Sequence, residues 1–144
     1  MLYGPLIVVE PGARFDPAQD HIVVLSRGGP GVSEGPVLLN GTVKPPALHW
    51  RTGQRYRLRF INIAAFDGIG VALRRSATQL QWRAVAKDGA ELPPVHAVMQ
   101  EGRQGTLPGE TLDFEYQPTE AGNLQLEVSN RRLQMKVVQQ IEVR

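Results

Sequence analysis

The chain alternates strictly between charged and apolar side chains over one segment near its middle. The alternating residues are Arg55, Tyr56, Arg57, Leu58, Arg59 and Phe60. Successive side chains of a β-strand point to opposite faces of the sheet, so this period of two is typical of a strand with one buried and one hydrated face. No long stretch of the sequence shows helical periodicity. The sequence therefore predicts an all-β fold.

Further candidate strands follow at short intervals, separated by clusters of Gly, Pro, Asn and Asp. We predict them at residues 6–9, 21–26, 37–39, 70–74, 81–86, 111–116, 124–129 and 133–143. About nine short strands without a helix predict a Greek-key β-sandwich. Because the chain has 144 residues and no linker-like internal segment, we expect a single domain over residues 1–144.

The connections between these strands carry their own signals. Asn40-Gly41 predicts a tight two-residue turn that leads into a return strand at residues 42–43. Asp88-Gly89, followed by Pro93-Pro94, favours a crossing loop over a tight hairpin. Residues 27–31 (RGGPG) predict a loop; without a following Lys-Ser/Thr pair or a helix they do not match a phosphate loop.

Composition excludes several classes of function. The sequence contains no cysteine, which rules out disulfides, thiolate metal sites, a cysteine nucleophile and the copper–thiolate bond of a blue-copper centre. The 16 basic and 14 acidic residues give a formal net charge of +2, and the basic residues are scattered, so we expect no nucleic-acid partner. The apolar run at residues 6–9 is too short for a signal-peptide core or a membrane span, and we expect a soluble chain without a membrane partner.

Three histidines are the weak candidates for a metal site. His21, His49 and His96 lie in different segments, with no spacing typical of metal ligands. The structural interpretations are a strand-edge position for His21, a loop position packed on an aromatic ring for His49, and an exposed position for His96. We therefore predict no metal site, and a joint site only if the fold brings all three together.

The candidates for catalysis and binding have structural interpretations as well. The serines Ser26, Ser33, Ser76 and Ser129 do not occur in a Gly-x-Ser-x-Gly elbow, and we assign no catalytic residue and no cofactor-binding residue. The acidic group Glu110, Asp113 and Glu115 is predicted to face the basic stripe Arg55, Arg57 and Arg59 across a hydrated outer sheet face. Trp50 and Trp82 could stack on a ligand, but the alternation around Trp82 favours a core position.

Seven segments, in order along the chain, resemble the middle domain of bacterial three-domain multicopper oxidases, the laccase-like family built from cupredoxin folds. The segments are residues 3–11 (YGPLIVVEP), 20–26 (DHIVVLS), 39–42 (LNGT), 53–62 (GQRYRLRFIN), 86–94 (AKDGAELPP), 108–114 (PGETLDF) and 140–144 (QIEVR). The resemblance implies a cupredoxin-like fold in which residues 1–12 are a leading strand or linker from an upstream domain. It also implies a parent protein that is periplasmic or secreted.

In that family a Cys and two His, often with a Met, hold the blue copper, and four His-x-His pairs from the first and third domains hold the trinuclear cluster. This sequence has no Cys and no His-x-His pair. The resemblance therefore implies a copper-free structural domain, inactive by itself, that packs on the neighbouring cupredoxin domains of an oxidoreductase and could self-associate when alone. The alternative is a stand-alone or engineered β-sandwich scaffold that binds a metal or a partner through surface residues.

Overall fold

The computed structural model of the protein describes residues 4–28, 35–65, 68–130, 132 and 134–144. Parts of several sequence predictions lie outside these residues, namely the start of the first resemblance segment, the Gly-Pro loop, one candidate serine and the last connecting turn. The positions concerned are residues 3, 29–31, 33, 131 and 133.

Within the described residues the chain forms thirteen strands. The first seven are β1 (Asp20–Arg27), β2 (Val37–Leu39), β3 (Leu48–Trp50), β4 (Tyr56–Asn62), β5 (Ile69–Arg75), β6 (Thr78–Gln79) and β7 (Gln81–Lys87). The remaining six are β8 (Ala90–Glu91), β9 (Met99–Glu101), β10 (Arg103–Thr106), β11 (Thr111–Tyr116), β12 (Gly122–Asn130) and β13 (Met135–Val143). No helix of the described chain is long and apolar enough to cross a membrane.

The strands form two sheets. The first sheet has the order β2-β1-β4-β11-β7-β8, with β9 also paired to β7, and the second has the order β10-β5-β12-β13-β3, with β6 paired to β5. Neighbouring strands are mostly distant in sequence, and two pairs, β1 with β4 and β13 with β3, are parallel. This all-β arrangement with crossing connections confirms the predicted sandwich.

The core lies between the two sheets and is built mainly from alternate residues of the longer strands. Tyr56, Leu58 and Phe60 of β4 are buried, as the alternation predicted. Trp82 is fully buried, stacked on Phe114 at a centroid distance of 4.3 Å, which confirms its predicted core position. Because these large rings come from neighbouring strands of one sheet, their packing sets how closely the second sheet can approach.

One buried polar residue links the two sheets. The Asn62 side chain, at the end of β4, donates to the backbone oxygen and the hydroxyl of Thr106 on β10, both at 3.1 Å. Its carbonyl oxygen accepts from the backbone N–H of Ala64 at 2.9 Å. Asn62 therefore satisfies buried polar groups of both sheets at one end of the core.

Three sequence predictions were wrong in detail. Residues 6–9 form no strand, because no described strand pairs with them and an apolar run alone does not supply hydrogen-bond partners. Residues 42–43 contribute only an isolated bridge between Leu39 and Thr42 instead of a return strand. Asp88-Gly89 forms a tight hairpin turn, since Lys87 pairs with Ala90 and both turn residues have positive φ, 50° and 82°.

The turn at Asn40-Gly41 is confirmed. Both residues have positive φ, 49° and 80°, as a two-residue hairpin turn requires. The Asn40 side chain also bonds to β1, accepting from Val24 N at 2.7 Å and donating to Ile22 O at 3.0 Å. The sequence did not predict β3, β6, β8, β9 and β10, because two to four residues are too few to show a period of two.

Candidate functional site: the outer face of the first sheet

A cluster of charged side chains occupies the outer face of the first sheet. Asp113 on β11 accepts hydrogen bonds at one carboxylate oxygen from Arg57 Nε at 2.9 Å and from Arg59 Nη1 at 2.8 Å. Arg57 also reaches Glu91 at 2.7 Å, and Arg59 reaches Asp20 at 3.0 Å. Five side chains from four strands thus form one continuous network.

Strand order explains why these residues meet. The central strand β4 lies between β1 and β11, and its outward-facing arginines have acidic residues on both sides, with Arg59 opposite Asp113 and Arg57 opposite Asp20. Burial raises the pKa of the Asp113 carboxyl, and the two neighbouring guanidinium groups oppose this shift. Acidic side chains of the same sheet therefore neutralise these arginines. The sequence predicted this pairing of the basic stripe with Asp113.

The predicted hydration of this face was only partly correct. Asp113 is only 8% exposed. Val24 and Ala86 of the same sheet are each 7% exposed, although they do not belong to the core between the two sheets. A groove of about 410 Å³ runs here between the arginines and residues 6–8. Ile7 is half-buried while Leu6 and Val8 are 87% and 86% exposed, so the extended segment turns one apolar side chain inward and two outward.

A stack of three rings occupies one end of the sandwich. His21 of β1, Trp50 of β3 and Tyr56 of β4 are nearly parallel, with the Trp50 and Tyr56 centroids 4.4 Å apart. Trp50 Nε1 donates to His21 Nε2 at 2.8 Å, and the Tyr56 hydroxyl accepts from Arg51 N. Because His21 Nε2 is the acceptor, the ring must be neutral with its proton on Nδ1.

His21 is the second residue of β1 and pairs with Leu58 of β4, whereas β2 pairs only with Leu25, Ser26 and Arg27. Among the described strands His21 therefore has a pairing partner on one side only, as the predicted strand-edge position requires. From the sequence alone, the only neighbour of His21 that could be named was Asp20. Trp50 is 29 positions away and on the other sheet, so no local pattern could have indicated the contact.

The burial of His21 makes stability depend on pH. Burial lowers the pKa of His21, with Asp20 acting in the opposite direction, so the unfolded chain takes up a proton at a higher pH than the folded protein does. The His21 contribution to stability is therefore complete above about pH 6.5 and is lost as pH falls through the folded-state pKa. Urea unfolding at pH 7.5 and 5.5, followed by Trp fluorescence, should show this loss in the native protein.

The control variants separate this effect from other titrations. His21→Gln keeps a hydrogen-bond acceptor without a titrating ring and should remove most of the difference between the two pH values. His96→Gln changes an exposed histidine and should leave the difference intact. An equal pH dependence in the wild type and in His21→Gln would contradict the assignment.

The other two histidines lie elsewhere. His49 is on β3 and not in a loop, and its Nδ1 is 3.3 Å from a Glu142 carboxylate oxygen on the neighbouring β13. His96 is exposed in a turn, as predicted. Across the residues that the structure describes, no three His, Cys, Asp or Glu side chains are grouped so that they could hold a metal ion.

The remaining candidates do not form a catalytic arrangement among the described residues. Glu110 accepts from Leu107 N at 2.7 Å and lies 3.3 Å from Lys87; chiefly the backbone hydrogen bond lowers its pKa. Glu115 lies 3.8 Å from Arg55. Each carboxylate of the acidic group therefore has its own cationic or backbone partner. Of the serines, Ser26 is buried and Ser76 lies in an exposed turn.

Comparison with solved structures assigns the fold. A multicopper oxidase superposes with a TM-score of 0.70 at 13% identity, over 88% of this chain and 44% of its own. A multicopper oxidase from Pediococcus acidilactici gives 0.63 at 17% identity, over 100% and 30%. The blue copper oxidase from Nitrosomonas europaea gives 0.64 at 18% identity, over 87% and 43%.

These similarities establish a cupredoxin-like fold of the kind found in multicopper oxidases. The chain spans less than half the length of each of these three proteins. No protein-family model and no curated protein matches the sequence.

Proposed function

We propose that this chain is a copper-free structural domain of a multicopper oxidase, equivalent to the middle domain of a three-domain enzyme. Its role would be to pack between the copper-bearing cupredoxin domains and to hold them at a fixed separation and orientation. The observation that carries the proposal is the cupredoxin-like fold in a sequence without cysteine. A rigid sandwich is well suited to this role because it can position remote ligand sets.

The residues present do not fit a copper centre. A blue-copper site needs a thiolate, and the sequence has none. His21 uses its Nε2 to accept from Trp50, and His49 faces Glu142. We therefore derive no redox step for this chain, and propose that it is not an enzyme by itself and that any copper belongs to other domains.

Exposed apolar side chains support a packing role. The most exposed of the described residues are Leu6, Val8, Val95, Met99 and Leu107, each more than half exposed. Side chains of this size exposed in several places are typical of surfaces that another domain covers. In the isolated domain the same surfaces, with the uncovered sheet edges, would favour self-association.

Copper loading tests the metal-free part of this proposal. The purified protein is incubated with excess Cu(II), desalted, and measured by mass spectrometry for metal content and by visible absorption. We expect less than about 0.1 copper per chain and no blue colour, because isolated surface histidines bind Cu(II) too weakly to survive desalting. The His96→Gln variant serves as a control for adventitious surface binding.

Stoichiometric copper that persists in His96→Gln, or copper-dependent phenol oxidation by the pure domain, would contradict the proposal. The first result would instead support the metal-binding scaffold.

A further inference from the structure

We propose that a groove on the outer face of the second sheet binds an extended acidic peptide segment of a partner protein. The groove has a volume of about 670 Å³ and lies across β10, β5, β12 and the start of β13. It is on the opposite side of the sandwich from the charged cluster described above. The inference does not depend on the proposed function, because it concerns only the side chains of this face.

The floor of the groove is made of residues with little or no side chain. Gly105 on β10 pairs with Gly70 on β5, and Gly70 pairs with Ser129 on β12, so three neighbouring strands place small residues in one row. Ala72 on β5 is one step further along the same outward face. A Cβ added to Gly105 would have no atom within 4 Å, which shows that the space above this strand is open.

Four cationic side chains and one carboxylate line the groove. The cations are Arg74, Arg103, Arg132 and Lys136, and the carboxylate is Glu127. Lys136 Nζ is 2.8 Å from Glu127, and Arg74 Nε is 3.5 Å from its other oxygen. Even without Arg132, the three positive charges of Arg74, Arg103 and Lys136 exceed the single negative charge of Glu127, so the groove carries an excess of positive charge.

Arg103 is the most available of these cations. It is exposed on the edge strand β10, and its side chain makes no hydrogen bond or ion pair with the described part of the chain. By contrast, the arginines of the first sheet are already bound to Asp113 and its neighbours. Among the described residues, the second sheet therefore presents an unpaired basic side chain, Arg103, at its surface, whereas Arg57 and Arg59 of the first sheet are paired with carboxylates.

The shape and chemistry of the groove favour carboxylates carried on a peptide. Guanidinium groups form two-pronged hydrogen bonds with carboxylates. The whole groove, from β10 to β13, crosses four strands and spans about 14 Å, the length of about four extended residues. Leu107 adds an exposed apolar contact at one end. No aromatic side chain lines the described groove, so nucleic-acid bases would have no ring to stack on.

A fluorescence-anisotropy titration tests this proposal at low ionic strength with a labelled peptide of alternating Glu and Thr, seven residues long. We expect saturable binding that Arg103→Glu weakens about tenfold by charge reversal. Gly105→Leu leaves the charge unchanged and fills the floor, so it should also weaken binding about tenfold by exclusion. Arg55→Glu reverses an exposed arginine just before β4 of the first sheet and should change binding less than about twofold.

Other outcomes would overturn the inference. Absence of saturable binding, or equal weakening by Arg55→Glu, would show that only general charge attraction operates. Unchanged binding in Gly105→Leu would show that the groove is not the binding site. Inorganic tripolyphosphate or oligothymidine could also displace the labelled peptide. If either does so at a lower concentration of negative charge than the unlabelled peptide requires, the face binds phosphate anions instead.

Discussion

Replacing Asn62 with alanine should lower the free energy of unfolding by about 3 kcal/mol. The side chain is fully buried; among the described residues it donates to the backbone oxygen and the hydroxyl of Thr106 and accepts from Ala64 N. Alanine would leave a buried N–H without its acceptor and remove the link between the two sheets. Urea unfolding at pH 7.5, followed by Trp fluorescence, measures the loss.

Two variants serve as controls for this prediction. Asn123→Ala makes the same chemical change at an exposed position of β12 and should cost less than about 0.5 kcal/mol. Thr106→Val removes the hydroxyl that donates to Ile69 O at 2.9 Å, and should cost about 1 to 2 kcal/mol. An Asn62→Ala loss no larger than that of Asn123→Ala would contradict the assigned role.

Asp113→Ala should be the next most destabilising change, by about 2 kcal/mol. The substitution leaves two mostly buried guanidinium groups, those of Arg57 and Arg59, without the carboxylate they share. This loss of stability is smaller than for arginines that have no other partner, because Arg57 still pairs with Glu91 and Arg59 still pairs with Asp20. Unfolding by urea at neutral pH measures the effect.

The matched control lies two residues away on the same strand and face. Glu115→Ala removes a carboxylate 3.8 Å from the largely exposed Arg55, and an exposed ion pair of this kind contributes less than about 0.5 kcal/mol. Similar losses in the two variants would mean that burial of the Asp113 network adds nothing to stability.

The longer strands could be predicted from the sequence because each residue pattern is local. The alternation from Arg55 to Phe60 predicted β4 and its inward face, and residues 111–116 coincide with β11. The pairing of Asp113 with the arginine stripe followed from the same alternation. By contrast, residues 6–9 showed an apolar run typical of a strand but lack a pairing partner among the described residues.

Most contacts of the candidate sites could not be predicted. Trp50 and His21 belong to different sheets, and Glu91 joins the charged cluster only because Asp88-Gly89 forms a tight hairpin. The groove floor depends on the register that brings Gly105, Gly70 and Ser129 into one row. Register between strands that are distant in sequence follows from packing of the whole core, and no single segment encodes it.

Local residue patterns were enough to predict the all-β class, the inward face of the long strands and the turn at Asn40-Gly41, and the composition excluded a thiolate ligand. Each of these depends on the residue types within a few positions, through side-chain alternation, backbone preference or elementary ligand chemistry. By contrast, the neutral state of His21, the link from Asn62 to Thr106 and the basic groove arise from the packing of the folded chain. These depend on strand order, because pairing brings together groups whose separation along the chain carries no signal.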